Sequence, residues 1–481
     1  MASPAAPPEF EHTYARSLPS LATSWAADIS SQPQLVIANP KLAIDLGIDA
    51  DWLASNGALH LFSGNGTTKD AERYALAYAG HQFGSYSPRL GDGRALLIGE
   101  FSDPIGQRWD LHLKGSGRTP FARGGDGKAT LGPMLREFLM GEAMAALGIP
   151  TTRALAVITT GELAMRERPL PGAILVRVAA SHLRVGTFQY AASLDSVDDL
   201  RALADYAIAR HYPELDGEDN RYLNLLTAVI ERQASLVAEW MLVGFIHGVM
   251  NTDNVTISGE TIDYGPCAFM DTVDPQTVFS SIDEGGRYAY GRQPAITQWN
   301  LARFAETLLP LIAANPEDAI APATEALEAF PDIFSRHWHS GMNRRLGFST
   351  QADGDDDLAN DLVALLQERR LDLVTTMRSL ADHLRGRDIG FGEWTTRWET
   401  RLQLEGVTNL ELIDRLQAAN PIYVPRNHLV EEALSAAVAG DLAPFEALLE
   451  RVTHPYDEVI GAERYAMPGD PAPGYRTYCG T

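Results

Sequence analysis

The sequence predicts an α+β protein with a strand-rich first lobe, a helical second lobe and a helical C-terminal extension. Three observations predict it. From Ala75 to about Val178, short apolar runs (RALLIGEF, WDLHLKGS, ALAVITTG, GAILVRVAA) alternate with Gly-rich turns, the pattern of a small antiparallel sheet. From about Leu194, apolar residues recur at helical spacing instead. The chain has 481 residues, 45% hydrophobic and 21% charged, an ordinary globular composition that can bury a large core. The expected parts are residues 1–190, an N-terminal region with the strand-rich lobe; 191–346, the helical lobe; and 347–481, the extension and tail.

One helix interrupts the first lobe. LGPMLREFLMGEAMAALGIP has Pro133 near its start, apolar Met134, Leu135, Phe138, Leu139 and Leu147 at helical spacing, and Gly148 with Pro150 as stop signals. In the second lobe a long apolar helix is expected from roughly Leu223 to His247, and another over TQWNLARFAETLLPLIAA. The acidic run QADGDDDLAND reads as a solvated loop leading into further helices that end near Arg451, before a Pro/Gly-rich tail.

Charge and cysteine usage exclude several classes. Lys plus Arg number 39 against 63 Asp plus Glu, a net charge of −24. Such a surface repels a polyanion, so a general nucleic-acid coat is not expected. Two cysteines, Cys267 and Cys479, form at most one bridge, which excludes a disulfide framework and fits a reducing cytoplasm. The opening MASPAAPPEFEHTYARSLPS lacks a basic segment followed by an apolar run, so no secretory signal is expected. The most apolar stretch, ASLVAEWMLVGFIHGVM, is broken by Glu239 and His247 and reads as a buried helix, not a membrane span.

The chemistry is concentrated in HGVMNTDNVTISGETIDYGP, residues 247–266. A polar loop follows the long helix; VTIS, a Gly259-Glu260 turn and TID then read as a short hairpin before Asp-Tyr-Gly. Protein kinases place a catalytic loop, two short strands and a metal-binding Asp in that order. Asn254 follows His247 by seven residues, the kinase spacing. Asn254 and Asp263 then hold the positions where hard oxygen donors bind Mg²⁺ against nucleotide phosphates. The position of the kinase base is Val249, which accepts no proton, while a carboxylate, Asp253, stands beside Asn254. In the first lobe Lys114 ends an alternating strand and Glu137 lies on the following helix, where it can orient the lysine. The turns RLGDGRA and GGDGK can expose N–H groups to phosphate, or serve only as hairpin turns. Arg177 and Arg184 suit a polyphosphate clamp, or lie solvated at the surface.

YAGHQFGSYSPRLGDGRA, LKGSGRTPFARGGDG, LREFLMGEAMAALGIPTTRALA and HGVMNTDN with IDYGP together resemble the selenoprotein O family of kinase-fold protein adenylyltransferases. The likeness runs from TYARSLP near residue 13 to Cys479. It implies a nucleotide inverted relative to its pose in ordinary kinases, so that AMP from ATP goes to a Ser, Thr or Tyr hydroxyl of a protein. Carried over, the ATP-binding set falls on Gly91, Gly93, Arg94, Lys114, Asp126, Gly127, Arg177 and Arg184, the proton acceptor on Asp253, and the Mg²⁺ ligands on Asn254 and Asp263, with Asp263 also touching the nucleotide. Mn²⁺ stands as an alternative to Mg²⁺. Relatives close a redox bridge from the tail to the segment after the metal-binding Asp; here a Cys267–Cys479 pair is the candidate. Two rivals remain at this point, a conventional kinase-like phosphotransferase and an inactive pseudokinase scaffold, the latter suggested by Val249. Neither the oligomeric state nor the protein target is legible.

Overall fold

A computed structural model describes residues 7–65, 72–469 and 475–478. Its strands are β1 (Ala22–Ser24), β2 (Gln34–Ala38), β3 (Tyr74–Leu76), β4 (Gly80–Gln82), β5 (Ser85–Ser87), β6 (Ala95–Ser102), β7 (Arg108–Lys114), β8 (Ala129–Thr130), β9 (Arg153–Met165), β10 (Pro169–Ala179), β11 (Phe245–Ile246) and β12 (Ala268–Phe269). The main sheet runs β1-β3-β6-β7-β10-β9-β2, with β8 beside β10, and every pairing in it is antiparallel. The four strands expected from their apolar runs form its centre. β1 and β2, outside the expected stretch, extend its edges.

Four short helices precede the central strands, α1 (Thr13–Ser17), α2 (Pro40–Asp45), α3 (Ala50–Leu53) and α4 (Asn56–Phe62). Helices α2 to α4 bury one face of the sheet through Leu42, Trp52, Leu61 and Phe62 against Leu111, Leu113, Val176 and Val178. The other face is covered by α5 (Leu131–Ala146), the expected interrupting helix.

The remainder is helical: α6 (Val185–Ala192), α7 (Val197–His211), α8 (Arg221–Val243), α9 (Gln293–Ile312), α10 (Pro316–Glu328), α11 (Phe330–Arg345), α12 (Asp355–Glu368), α13 (Leu373–Leu384), α14 (Glu393–Gln403), α15 (Asn409–Ala419), α16 (Asn427–Val438), α17 (Ala443–Val452) and α18 (Glu463–Ala466). One core joins α6 to α10, another joins α11 to α15. Helices α16 and α17 return to the front of the chain and pack on α5, with Phe445 tilted against Phe138 at 6.4 Å. Among the described residues no helix is long and apolar enough to cross a membrane.

Three expectations are corrected. The long helix ends at Val243 because Gly244 takes the left-handed conformation (φ 74°) that closes a helix, so His247 lies beyond it. The acidic run is not a loop. Asp355, Asp356 and Asp357 occupy the first turn of α12, where the positive end of the helix dipole favours carboxylates. Asp355 is also buried and accepts from Arg401 Nη2 at 3.1 Å. The hairpin over residues 255–263 does not form either: Thr256 bridges Arg184 and Thr261 bridges Thr151, so pairing with distant chain replaces the local ladder.

Candidate active site

Alternation along β7 sorts its residues onto two faces. Leu111 and Leu113 join the core under α2 to α4, which leaves Asp110, His112 and Lys114 facing the side of α5. In β10, Arg177 stands directly opposite His112 and Leu175 opposite Lys114. Glu137, on the buried face of α5, accepts from Lys114 Nζ at 2.6 Å and from Arg177 Nη1 at 3.1 Å. Arg177 Nη2 donates to His112 Nδ1 at 3.1 Å, so the imidazole proton sits on Nε2 and donates to Asp92 at 2.9 Å. Burial pushes the Asp92 carboxyl up, but His112 and Arg184 outweigh it and bring it down to about 2. A chain of alternating charge thus holds Lys114 and Arg177 in fixed poses. Glu137→Ala would leave Arg177 buried without its carboxylate and Lys114 with Asp263 alone, an expected loss of about 3–5 kcal/mol of stability. Urea unfolding checks this; an unchanged midpoint would mean that both cations find other partners.

The opposing wall is built by the chain between β11 and β12. Their short antiparallel pairing, Phe245 to Phe269 and Ile246 to Ala268, closes the base of this long loop. His247 is buried and its Nε2 donates to Ile262 O at 2.9 Å, which fixes the chain just before Asp263. Trp240 Nε1 donates to Thr261 Oγ1 at 2.9 Å, and Thr152 N donates to Thr261 O at 3.0 Å. The non-local pairing that replaces the hairpin, with Val185 N donating to Val255 O (2.8 Å) and Ile257 N to Leu183 O (2.9 Å), carries Arg184 to Asp253. There Arg184 Nη1 donates to Asp253 O at 3.1 Å and its guanidinium lies 4.4 Å over the Tyr78 ring.

All eleven expected residues line one cleft of about 400 Å³: Gly91, Gly93, Arg94, Lys114, Asp126, Gly127, Arg177, Arg184, Asp253, Asn254 and Asp263. Lys114 bridges the two walls, since it donates to Asp263 as well as to Glu137. Asp263 has a left-handed backbone (φ 69°). Burial raises its carboxyl, but Lys114, with Arg94 and Arg177 behind it, holds it far below the usual range. Asp253 goes the other way. Burial pushes it up to about 6 against the pull of Arg184, and among the described residues its Oδ1 has no hydrogen-bond partner. Asp126 is exposed and its carboxylate is taken by Arg166 (2.8 Å) and Lys128 N (3.0 Å), so it shapes the Gly-rich turn. Val249, where a kinase keeps its base, also lines the cleft.

The turns need their glycines. Gly91 (φ 67°) and Gly127 (φ 70°) are left-handed, and a Cβ would overlap the Phe121 ring at the first and the Gly117–Arg118 backbone at the second. Gly127→Ala is therefore expected to cost roughly 1–3 kcal/mol from overpacking, plus about 1 kcal/mol from the backbone conformation. The readout is a lowered thermal midpoint together with weaker nucleotide binding; a midpoint equal to the wild type would contradict it.

Several residues in and behind the cleft escaped the sequence reading. Asp92 lies inside RLGDGRA, and His112 falls on the polar phase of WDLHLKGS, so strand alternation carried a usable signal for both. Tyr78, Gln82 and Asn251 carried none that marks them apart from any loop polar or aromatic residue.

The donor set fits a hard divalent cation. Asn254 spends its NH₂ on Val249 O (3.0 Å), leaving Oδ1 to offer a ligand; Asp263 is ionised; and Asp253 Oδ1 is a buried oxygen without a partner among the described residues. Among the described residues no three His, Cys, Asp or Glu side chains converge on one point. A cation held here would share its shell with phosphate oxygens, as Mg²⁺ commonly does.

The redox pair is only half described. Cys267 is buried and its thiol is pushed up to about 12 by burial, which makes it a poor nucleophile as it stands. Cys479 lies outside the described residues. The tail before it does reach this region: Thr477 Oγ1 donates to Pro266 O at 2.6 Å, and Thr477 N to Phe279 O at 2.8 Å.

Cations facing carboxylates across a cleft of this size are the arrangement of an enzyme that handles a polyanion and moves a proton. The comparisons give the class its family. A family model described as protein adenylyltransferase SelO matches residues 7–453. The chain is 55% identical over 478 residues to the protein nucleotidyltransferase YdiU of Mycolicibacterium smegmatis, covering 97% of each chain. It is 53% identical to the YdiU of Geobacillus kaustophilus, over 98% of this chain and 99% of the relative, and 54% identical to that of Cereibacter sphaeroides over the same shares. The chain belongs to the SelO family of protein adenylyltransferases and is a nucleotidyltransferase.

Proposed function

We propose that the chain transfers AMP from ATP to a Ser, Thr or Tyr hydroxyl of a protein, in a kinase-like fold whose strand-rich lobe spans residues 1–190, whose helical lobe spans 191–346 and whose extension spans 347–481. The observation that carries this reading is the convergence of Lys114, Arg177 and Arg184 with Asp253, Asn254 and Asp263 on one cleft. The Gly-rich turns at Gly91, Gly93 and Gly127, with Arg94, approach the phosphates. Asn254 and Asp263 hold Mg²⁺, with Mn²⁺ as the alternative. When bound, the ion neutralises negative charge on the phosphates.

The acceptor oxygen forms a bond to the α-phosphorus while the bond from that phosphorus to the α,β-bridging oxygen breaks, and pyrophosphate leaves. Asp253 takes the hydroxyl proton; its carboxyl, raised to about 6, is ionised at neutral pH yet basic enough to accept. Lys114 and Arg177, held by Glu137, and Arg184, held over Tyr78, stabilise charge on the departing pyrophosphate. The chain's composition supports a cytoplasmic setting.

Incubation with ATP labelled at the α or the γ position tests the reaction. AMP transfer puts α-label on the acceptor and adds the mass of AMP; acceptor labelled only from the γ position would replace this reading with a phosphotransferase. No metal-dependent label from either position would leave an inactive scaffold.

A further inference from the structure

One wall of the cleft is not needed for phosphate. The β4–β5 hairpin is latched to the loop that carries Asp253: His81 N donates to Thr252 Oγ1 at 2.7 Å, and Phe83 N donates to Asn251 Oδ1 at 3.0 Å. Gly80 packs so closely that a Cβ there would stand 2.6 Å from Asp253 Oδ1. A hydroxyl approaching Asp253 therefore arrives beside this hairpin. The cations assigned to the nucleotide come from other elements, Lys114 and Arg177 from β7 and β10 and Arg184 from the start of α6.

The hairpin tip presents what a polypeptide would bind. Phe83 holds a left-handed backbone (φ 51°), rare for a bulky side chain, and is 37% exposed. Tyr86 is 46% and Ile282 51% exposed, and both Phe83 and Ile282 line the mouth of the cleft. Large apolar side chains exposed together beside a charged cleft mark a contact surface. Next to them Arg287 lies 4.8 Å over the Trp299 ring and 5.8 Å over that of Tyr288, which itself meets Phe83 at 5.1 Å. Among the described residues the Arg287 Nε has no hydrogen-bond partner, and Asp283 Oδ1 accepts from the backbone N of Arg287 at 2.8 Å. In a chain of net charge −24, a guanidinium held over aromatic rings beside the cleft-lining Phe83 is complementary to an acidic partner.

We propose that the β4–β5 hairpin and Ile282 form the docking surface for the acceptor polypeptide. An apolar side chain beside the modified hydroxyl packs on Phe83, Tyr86 and Ile282, and an acidic side chain nearby pairs with Arg287. This selectivity rests on the transferase reading above.

The test uses the full chain with α-labelled ATP, Mg²⁺ and a positional-scanning library of peptides centred on Ser, Thr or Tyr. The wild type is expected to favour bulky apolar and acidic residues near the hydroxyl. Arg287→Glu should move the acidic preference by about tenfold toward basic residues. Ile282→Ser, which adds no charge near the phosphates, should lower labelling of apolar-flanked peptides by about tenfold relative to its affinity for a non-hydrolysable ATP analogue. Because Ile282 is half exposed, its variant remains informative if Arg287→Glu fails to fold. Wild-type labelling whose profile survives the soluble variant or variants unchanged overturns the docking surface and leaves the transferase reading standing. No α-label in any peptide with the wild type overturns transfer to polypeptide hydroxyls, and the docking surface with it.

Discussion

Asp263→Ala is expected to lower AMP transfer by about 10³-fold or more, because it removes charge from the centre of the site rather than from its rim. Asp263 bonds to Lys114 from the opposing wall, and it is a proposed ligand of the cation. Lys114 has Glu137 at 2.6 Å to hold it in the variant, so the lysine stays anchored while the proposed cation site loses its strongly ionised carboxylate. Raising the Mg²⁺ concentration should therefore recover little activity. Transfer from α-labelled ATP, measured beside a circular dichroism spectrum showing a folded chain, checks the expectation. A folded Asp263→Ala protein that transfers AMP at the wild-type rate would sink the metal assignment.

Asp253→Asn is expected to separate chemistry from binding. Affinity for an ATP analogue should change little, since Arg184 reaches Asp253 through the backbone oxygen, which the substitution keeps. Transfer should fall by about 10²–10⁴-fold, the usual worth of a positioned proton acceptor. The pH dependence follows from the same group. Burial raises the Asp253 carboxyl to about 6, and only its ionised form accepts a proton. The wild-type kcat/KM should therefore rise with pH through an acid limb near 6 and level off at neutral pH. Asp263, held far below that range by Lys114, contributes no limb there. The limb should be missing from the residual activity of Asp253→Asn; a limb that persists unaltered would assign the proton to another group.

The legible part of the site was written in local spacing. His247, Asn254 and Asp263 lie on one loop, and their order survives folding because the loop is closed at its base by the Phe245–Phe269 pairing. Lys114 was legible because a polar residue at the end of a period-two strand must choose a face, and Leu111 and Leu113 chose the other one. What lay beyond reach were decisions between competing partners. VTIS and TID have the pattern of a hairpin, yet Thr256 pairs with Arg184 and Thr261 with Thr151, because the distant segments satisfy the same backbone groups while burying Ile257 and Ile262. The acidic run read as a loop by its charge, and becomes a helix because its aspartates sit at a helix start with Arg401 on hand.

By itself, then, the order of residues determined the sheet's central strands, the helix bearing Glu137, the family and eleven residues that line the cleft. Periodicity, spacing and turn chemistry are properties of neighbours along the chain. Only the tertiary structure decided that Glu137 grips two cations at once, that Asp253 is buried with a raised carboxyl and an oxygen unpartnered among the described residues, and that an apolar hairpin with Arg287 next to it stands beside it. Burial and charge pairing depend on which remote segments meet, and no local pattern encodes that.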